Sequence, residues 1–101
     1  MASSKEFKDF ILEQLKDVPN ISCRAMMGEY ILYYNGVVFG GIYDDRLLIK
    51  KTNINKKYQL SEVIPYKNAK PMYIIENLED ISYLNEIILK TYLNLQQNKK
   101  A

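Results

Sequence analysis

The sequence predicts a two-layer α+β domain: an antiparallel meander with an N-terminal and a C-terminal helix packed on one face of the sheet. Three observations predict it. Apolar residues recur at helical spacing near both ends of the chain, short β-branched and aromatic runs fill residues 21–51, and Asn35-Gly36 and Asp44-Asp45 separate those runs at hairpin distance. At 101 residues the chain is expected to form one domain, spanning residues 1–101, with enough interior to do without disulfide or metal staples.

Phe7, Phe10, Ile11, Leu15 and Val18 mark the first helix, placed at residues 4–17. Ser3 and Glu6 stand at capping-box spacing before it, and Pro19-Asn20 stops it. Ile21 to Met26 is short and β-compatible. Tyr30 to Tyr34 leads into Asn35-Gly36, both of which tolerate the positive φ of a tight hairpin, and Val37 to Tyr43 returns. Asp44-Asp45 turns the chain again into a strand over Arg46 to Lys51. The polar residues 52–62 are expected to hold a short helix ending near Leu60. A loop punctuated by Pro65, Asn68 and Pro71 precedes a strand over Met72 to Ile75. Glu79-Asp80 then starts a helix whose stripe is Ile81, Leu84, Ile88, Tyr92 and Leu95. Acids lie toward its start and Lys90, Lys99 and Lys100 toward its end, as the helix dipole favours. Residues 97–101 are expected to fray.

The strands lack the clean alternation of a sheet with one wet face. Tyr30, Leu32 and Tyr34 oppose Ile31 and Tyr33, and Val37, Phe39 and Tyr43 oppose Val38 and Ile42. Both faces are therefore apolar and rich in tyrosine, and a second apolar face is the pattern of an interface.

Composition narrows the chemistry. Apolar residues make up 48% of the chain and charged residues 26%, which argues against a disordered chain. The longest weakly polar run, Val37 to Tyr43, falls far short of the roughly 20 residues that span a bilayer, and Lys5, Glu6, Lys8 and Asp9 interrupt any secretory h-region. A single cysteine, Cys23, permits no internal bridge and fits a reducing, cytoplasmic setting. The absence of histidine removes the commonest general base and metal ligand.

Cys23 therefore has no histidine to draw off its proton and is read as an inert core position rather than a reactive thiol. Too few Cys or His ligands exist for zinc, and no loop clusters carboxylates for calcium or magnesium, so no metal and no cofactor are expected. Asp44-Asp45 is a turn former rather than a catalytic pair, because neighbouring strand residues point to opposite faces. Gly40-Gly41 lies inside an apolar strand without a phosphate-loop context, which favours a bulge or close packing over a ligand cradle.

Lys50, Lys51, Lys56, Lys57, Lys67 and Lys70 fall in one segment with a single acid, Glu62, and with Tyr58 and Tyr66 interleaved. This pattern suits weak phosphate contact with stacking aromatics. It equally suits a solvated lysine face. The net charge is only +2, and Arg24 and Arg46 are the sole arginines, so base reading by bidentate guanidinium is poorly supplied.

From Arg24 the chain reads R-A-M-M-G-E-Y-I-L-Y-Y-N-G-V-V-F-G-G-I-Y-D-D-R-L-L-I-K. This resembles the N-terminal domain of the TfoX/Sxy family in Arg24, Met26, Met27, Gly28, Tyr30, Tyr33, Gly36, Phe39, Asp44, Arg46, Leu47 and Lys50, as does A-K-P-M-Y at Ala69 to Tyr73. Met27 stands where phenylalanine is frequent. The resemblance covers the whole chain and is to the family's short stand-alone members. It implies a helix-flanked antiparallel sheet and a link to regulation of natural competence, and it brings no catalytic residues. Arg24, Met26, Gly28, Tyr30, Asp44 and Arg46 are then structural positions, with Gly28 in a backbone turn and Arg24 either anchoring that turn or standing on an exposed strand.

Sequence and resemblance together lead to a non-enzymatic regulatory or protein-binding module. It is expected to dimerise or to dock a protein through the second sheet face, with weak nucleic-acid binding by the Lys50–Lys70 segment as the alternative.

Overall fold

The computed structural model describes residues 3–100, with side chains described through residue 96. Helix α1 spans Lys5–Gln14, strands β1 to β4 span Ile21–Met26, Glu29–Tyr34, Val37–Ile42 and Leu47–Ile49, and a single 3-10 turn occupies Asn55–Tyr58. Strands β5 (Glu62–Val63) and β6 (Met72–Ile75) follow, and helix α2 runs Ile81–Lys100. The six strands form one antiparallel sheet in the order β1-β2-β3-β4-β6-β5. The meander is thus extended by a hairpin whose second strand inserts beside β4, leaving β1 and β5 as the edges.

Both helices pack on one face. Ile11 and Leu15 of α1 and Leu84, Ile87 and Ile88 of α2 share a core with Leu32, Phe39, Ile42, Leu47, Ile49 and Ile75. Tyr34 of β2 stacks on Tyr92 of α2 with ring centroids 4.4 Å apart. These are the helical stripes and strand positions that apolar spacing marks out, with Ile87 and Thr91 added to the buried side of α2.

Several expectations require correction. The cap of α1 is Ser4, whose Oγ accepts the Phe7 N–H at 3.1 Å, so the Ser3–Glu6 box does not form. Ser3 is instead drawn away. Its Oγ donates to Glu29 Oε1 at 2.6 Å and accepts the Asp45 N–H at 2.9 Å, tying the chain start to two turns of the sheet. The first helix stops at Gln14 rather than at residue 17, and its last stretch tightens into turns. The short helix in 52–62 is only the four-residue 3-10 turn, and the strand expected over 46–51 is three residues long. Strand β5, too short to leave a pattern, was not foreseen. Asp80 caps α2 by accepting the Tyr83 N–H at 3.0 Å, as a helix start should. The fraying expected for residues 97–101 and the charges of Lys99 and Lys100 lie outside the described side chains.

The largest correction lies in β3. The pairing of β2 with β3 shifts between Leu32 and Tyr33, which places one extra residue in β3. Val37 lies opposite Tyr34 and Ile42 opposite Tyr30, so Ile42 joins Val37 and Phe39 on the helix side. Tyr43, grouped with them by simple alternation, falls on the other face. Gly40 and Gly41 make this possible. A β-carbon on Gly40 would stand 2.1 Å from the Leu48 carbonyl oxygen, and one on Gly41 would stand 2.6 Å from the Tyr30 oxygen and 2.7 Å from Tyr43 Cε2. The glycines serve close approach of strands and of an aromatic ring, not of a helix.

Gly40→Ala is accordingly expected to lower stability by about 1–3 kcal/mol or more, since backbone rather than a movable side chain occupies the space. Chemical denaturation of the variant measures this. An unchanged midpoint would show that the bulge can open without cost.

Candidate functional site: a lysine-rimmed cleft on the second sheet face

The loop joining β5 to β6 folds over the sheet face opposite the helices. It buries its own Pro65, and on the same face of the sheet Leu48 is fully buried, while its neighbours Leu47 and Ile49 point the other way into the core. Tyr66 of this loop reaches Tyr43, with ring centroids 5.9 Å apart and planes inclined at 46°. Tyr43 is 9% exposed and Tyr66 62% exposed, so the first ring braces the second, which stays open to solvent.

Between the loop and the sheet lies a cleft of about 630 Å³. Val38, Gly40 and Met72 form its apolar floor, Tyr43 and Tyr66 an aromatic wall, and Lys50, Lys51 and Lys70 its cations. Among the described residues no carboxylate lines it. Lys51 is already engaged by Glu62, 3.1 Å away. Among the described residues no carboxylate lies within ion-pair distance of Lys50 or Lys70.

A buried polar node holds one side of this cleft. Asn55 Nδ2 donates to the Lys50 carbonyl at 2.8 Å and to Thr91 Oγ1 at 2.9 Å, while Asn55 Oδ1 accepts the Thr52 N–H at 2.9 Å. Ile54 N–H donates to Asn94 Oδ1. The chain leaving β4 is thereby fastened to α2, and Lys50 and Lys51 are presented from a fixed backbone.

The six lysines of the segment do not share one surface. Lys50, Lys51 and Lys70 meet at the cleft. Lys57 sits in the helix layer beside Lys90 of α2, and that neighbouring cation lowers its pKa. There the Tyr58 hydroxyl donates to Glu86, a bond that, with Lys90 nearby, holds the Glu86 carboxyl below its ordinary range. Lys56 and Lys67 are exposed and line no part of the cleft. The sequence marks Tyr43, Val38 and Met72 as strand residues but not as a site, because their convergence depends on the β3 bulge and on a loop without periodicity.

The remaining marked residues occupy turns and edges. Met27 and Gly28 have φ of +51° and +84°, as a tight turn between β1 and β2 requires. Asp44 and Asp45, at +55° and +54°, form the next turn, where the Asp44 N–H donates to Glu29 and Arg46 Nε donates to the Tyr43 carbonyl. Arg24 stands exposed on β1, and its side chain makes no hydrogen bond among the described residues, which is the exposed-strand alternative. Tyr30 is half-buried against the core, with Lys8 Nζ 5.7 Å from its ring centre. Met26 is 51% and Met27 97% exposed. Cys23 is half-buried, and burial pushes its thiol pKa up, away from the reactive thiolate. Among the described residues no group of three His, Cys, Asp or Glu side chains could hold a metal ion, and no helix is long and apolar enough to cross a membrane.

Burial, with Tyr66 and Glu29 nearby, raises the Tyr43 pKa, and burial likewise raises those of Tyr58 and Tyr83. Folding therefore favours the neutral phenols. Their contribution is intact below the ordinary tyrosine value of about 10 and is lost as pH rises through the raised values. Thermal midpoints followed by circular dichroism are expected to hold up to that range and then to fall, with Tyr43→Phe falling less. An equal fall in Tyr43→Phe would mean that this phenol does not resist ionisation.

Comparison with known proteins agrees with this architecture. The chain is similar to a Spirochaeta aurantia protein described as an uncharacterized 12.7 kDa protein in the trpE 5' region, at 28% identity over 80 residues, which is 77% of this chain and 70% of that one. The family model described as TfoX N-terminal domain matches residues 13–83, from the end of α1 through every strand, the cleft and both glycine-containing turns into the first turn of α2. With more than half of its length matched, the chain belongs to the TfoX N-terminal domain family.

Proposed function

We propose that this chain is a non-enzymatic regulatory module that binds protein, in the first place a second copy of itself, through the part of the second sheet face that the β5–β6 loop leaves uncovered. One observation carries the reading. The β1–β2 hairpin presents Ile31 and Tyr33 of β2 half-exposed and Met26 and Met27 largely exposed, beside the edge strand β1, which holds neither proline nor lysine and has Arg24 as its single charge. Methionine suits such a surface because its flexible thioether adapts to a partner's contours. Membership in the family supports a regulatory role, with transcriptional control of competence as its finer form. The lone cysteine, which permits no internal bridge, supports action in a reducing setting such as the cytoplasm.

Sedimentation equilibrium at high micromolar concentration is expected to show a dimer. Met27→Asp and Tyr33→Ser, the first tolerated by the positive φ of its turn, are expected to weaken association roughly tenfold or more while leaving the thermal midpoint near that of the parent. A strict monomer that also captures no protein dependent on Met27 and Tyr33 from host extract would remove the proposal.

A further inference from the structure

We infer that the cleft between the β5–β6 loop and the sheet binds a nucleotide unit, a planar base with its phosphate. The phosphate lies between Lys50 and Lys70, and the base lies on Tyr66. This site is independent of the docking surface, whose residues belong to β1 and β2.

The shape comes first. At about 630 Å³ the cleft falls within the range of roughly 300–1,000 Å³ that small-molecule sites occupy, and its floor of Val38, Gly40 and Met72 is apolar as theirs are. Gly40 gives the floor backbone alone, and a β-carbon there would run into the β4 backbone, so this part of the floor is fixed by the close pairing of β3 with β4.

The charge is one-sided. Three lysines line the cleft, and among the described residues no carboxylate does and Lys51 alone is neutralised, by Glu62. Two unpaired ammonium groups at one concavity select an anion, and lysine serves as a point-charge phosphate binder without the planar fork of arginine. The aromatic wall then distinguishes a nucleotide from a bare anion. Tyr66 keeps 62% of its surface exposed while Tyr43 supports it from beneath, which leaves a braced ring with a free face. Stacking on such a ring accepts any base. Lys56, Lys57 and Lys67, equally basic in sequence, have no part in the site.

A free nucleotide and a single strand offer the same unit, and titration separates them. Calorimetry on the full chain at low ionic strength uses AMP, a short oligothymidylate and ribose 5-phosphate. AMP, the oligonucleotide or both are expected to bind, and ribose 5-phosphate at least tenfold more weakly. Tyr66→Ala is expected to cost about tenfold, consistent with roughly 1–3 kcal/mol per stacked base. The Lys50→Gln/Lys70→Gln pair costs tenfold or more, and Lys56→Gln/Lys57→Gln, which removes the same charge elsewhere, costs nothing. Binding of AMP identifies a free nucleotide as sufficient, and binding of the oligonucleotide alone identifies a strand. The inference is overturned if neither ligand binds, if both lysine pairs weaken binding equally, or if Tyr66→Ala leaves it unchanged.

Discussion

Part way along β3 the chain changes which side of the sheet its residues face, and much of the molecule follows from that change. One extra residue between the pairings Tyr33–Val38 and Leu32–Gly40 turns Ile42 toward the helices and Tyr43 away from them. Without it, the core would lose a fully buried isoleucine and gain a phenol seeking a partner. The change is sterically possible because Gly40 and Gly41 let neighbouring backbone and the Tyr43 ring come closer than a β-carbon permits. The same pair that completes the core thus creates the floor and wall of the cleft behind it.

The two faces of the sheet are consequently unlike. One is covered by α1 and α2. The other is divided: the β5–β6 loop lies across it at Tyr43 and the cleft, while β1 and β2 keep Ile31, Tyr33 and Met26 at least partly open. The apolar excess of the strands is therefore met in part within the chain itself. What remains uncovered is a narrower surface than a wholly bare face, confined to one hairpin and its edge, and distinct from the basic concavity beside the loop.

Polar nodes rather than regular structure hold the irregular segments in place. Asn55 is fully buried and bonds to Lys50, Thr52 and Thr91, so a stretch with one turn of 3-10 helix is fixed to α2 as firmly as a longer element would be. Glu29 does the same at the other end, accepting from Ser3 and from the Asp44 N–H, and it steadies a turn whose two aspartates both adopt positive φ. These nodes reach across as many as 36 positions, from Asn55 to Thr91, and 26 positions, from Ser3 to Glu29.

Sequence alone determined the α+β class, both helices, the first four strands, β6, and the turns at Asn35-Gly36 and Asp44-Asp45. Each is encoded locally, by apolar period or by residues that tolerate positive φ. The motif from Arg24 to Lys50 was enough to carry the family. Tertiary structure alone decided the rest. Ser3 prefers Glu29 and Asp45 to its own helix, because a cap competes with any acceptor or donor brought near by folding. The bulge depends on pairing between strands, β5 is too short to show a period, and the lysines divide according to where a loop of prolines and polar residues comes to rest. Local patterns specify elements, whereas sites arise where elements distant in sequence meet, and no period in the chain records that meeting.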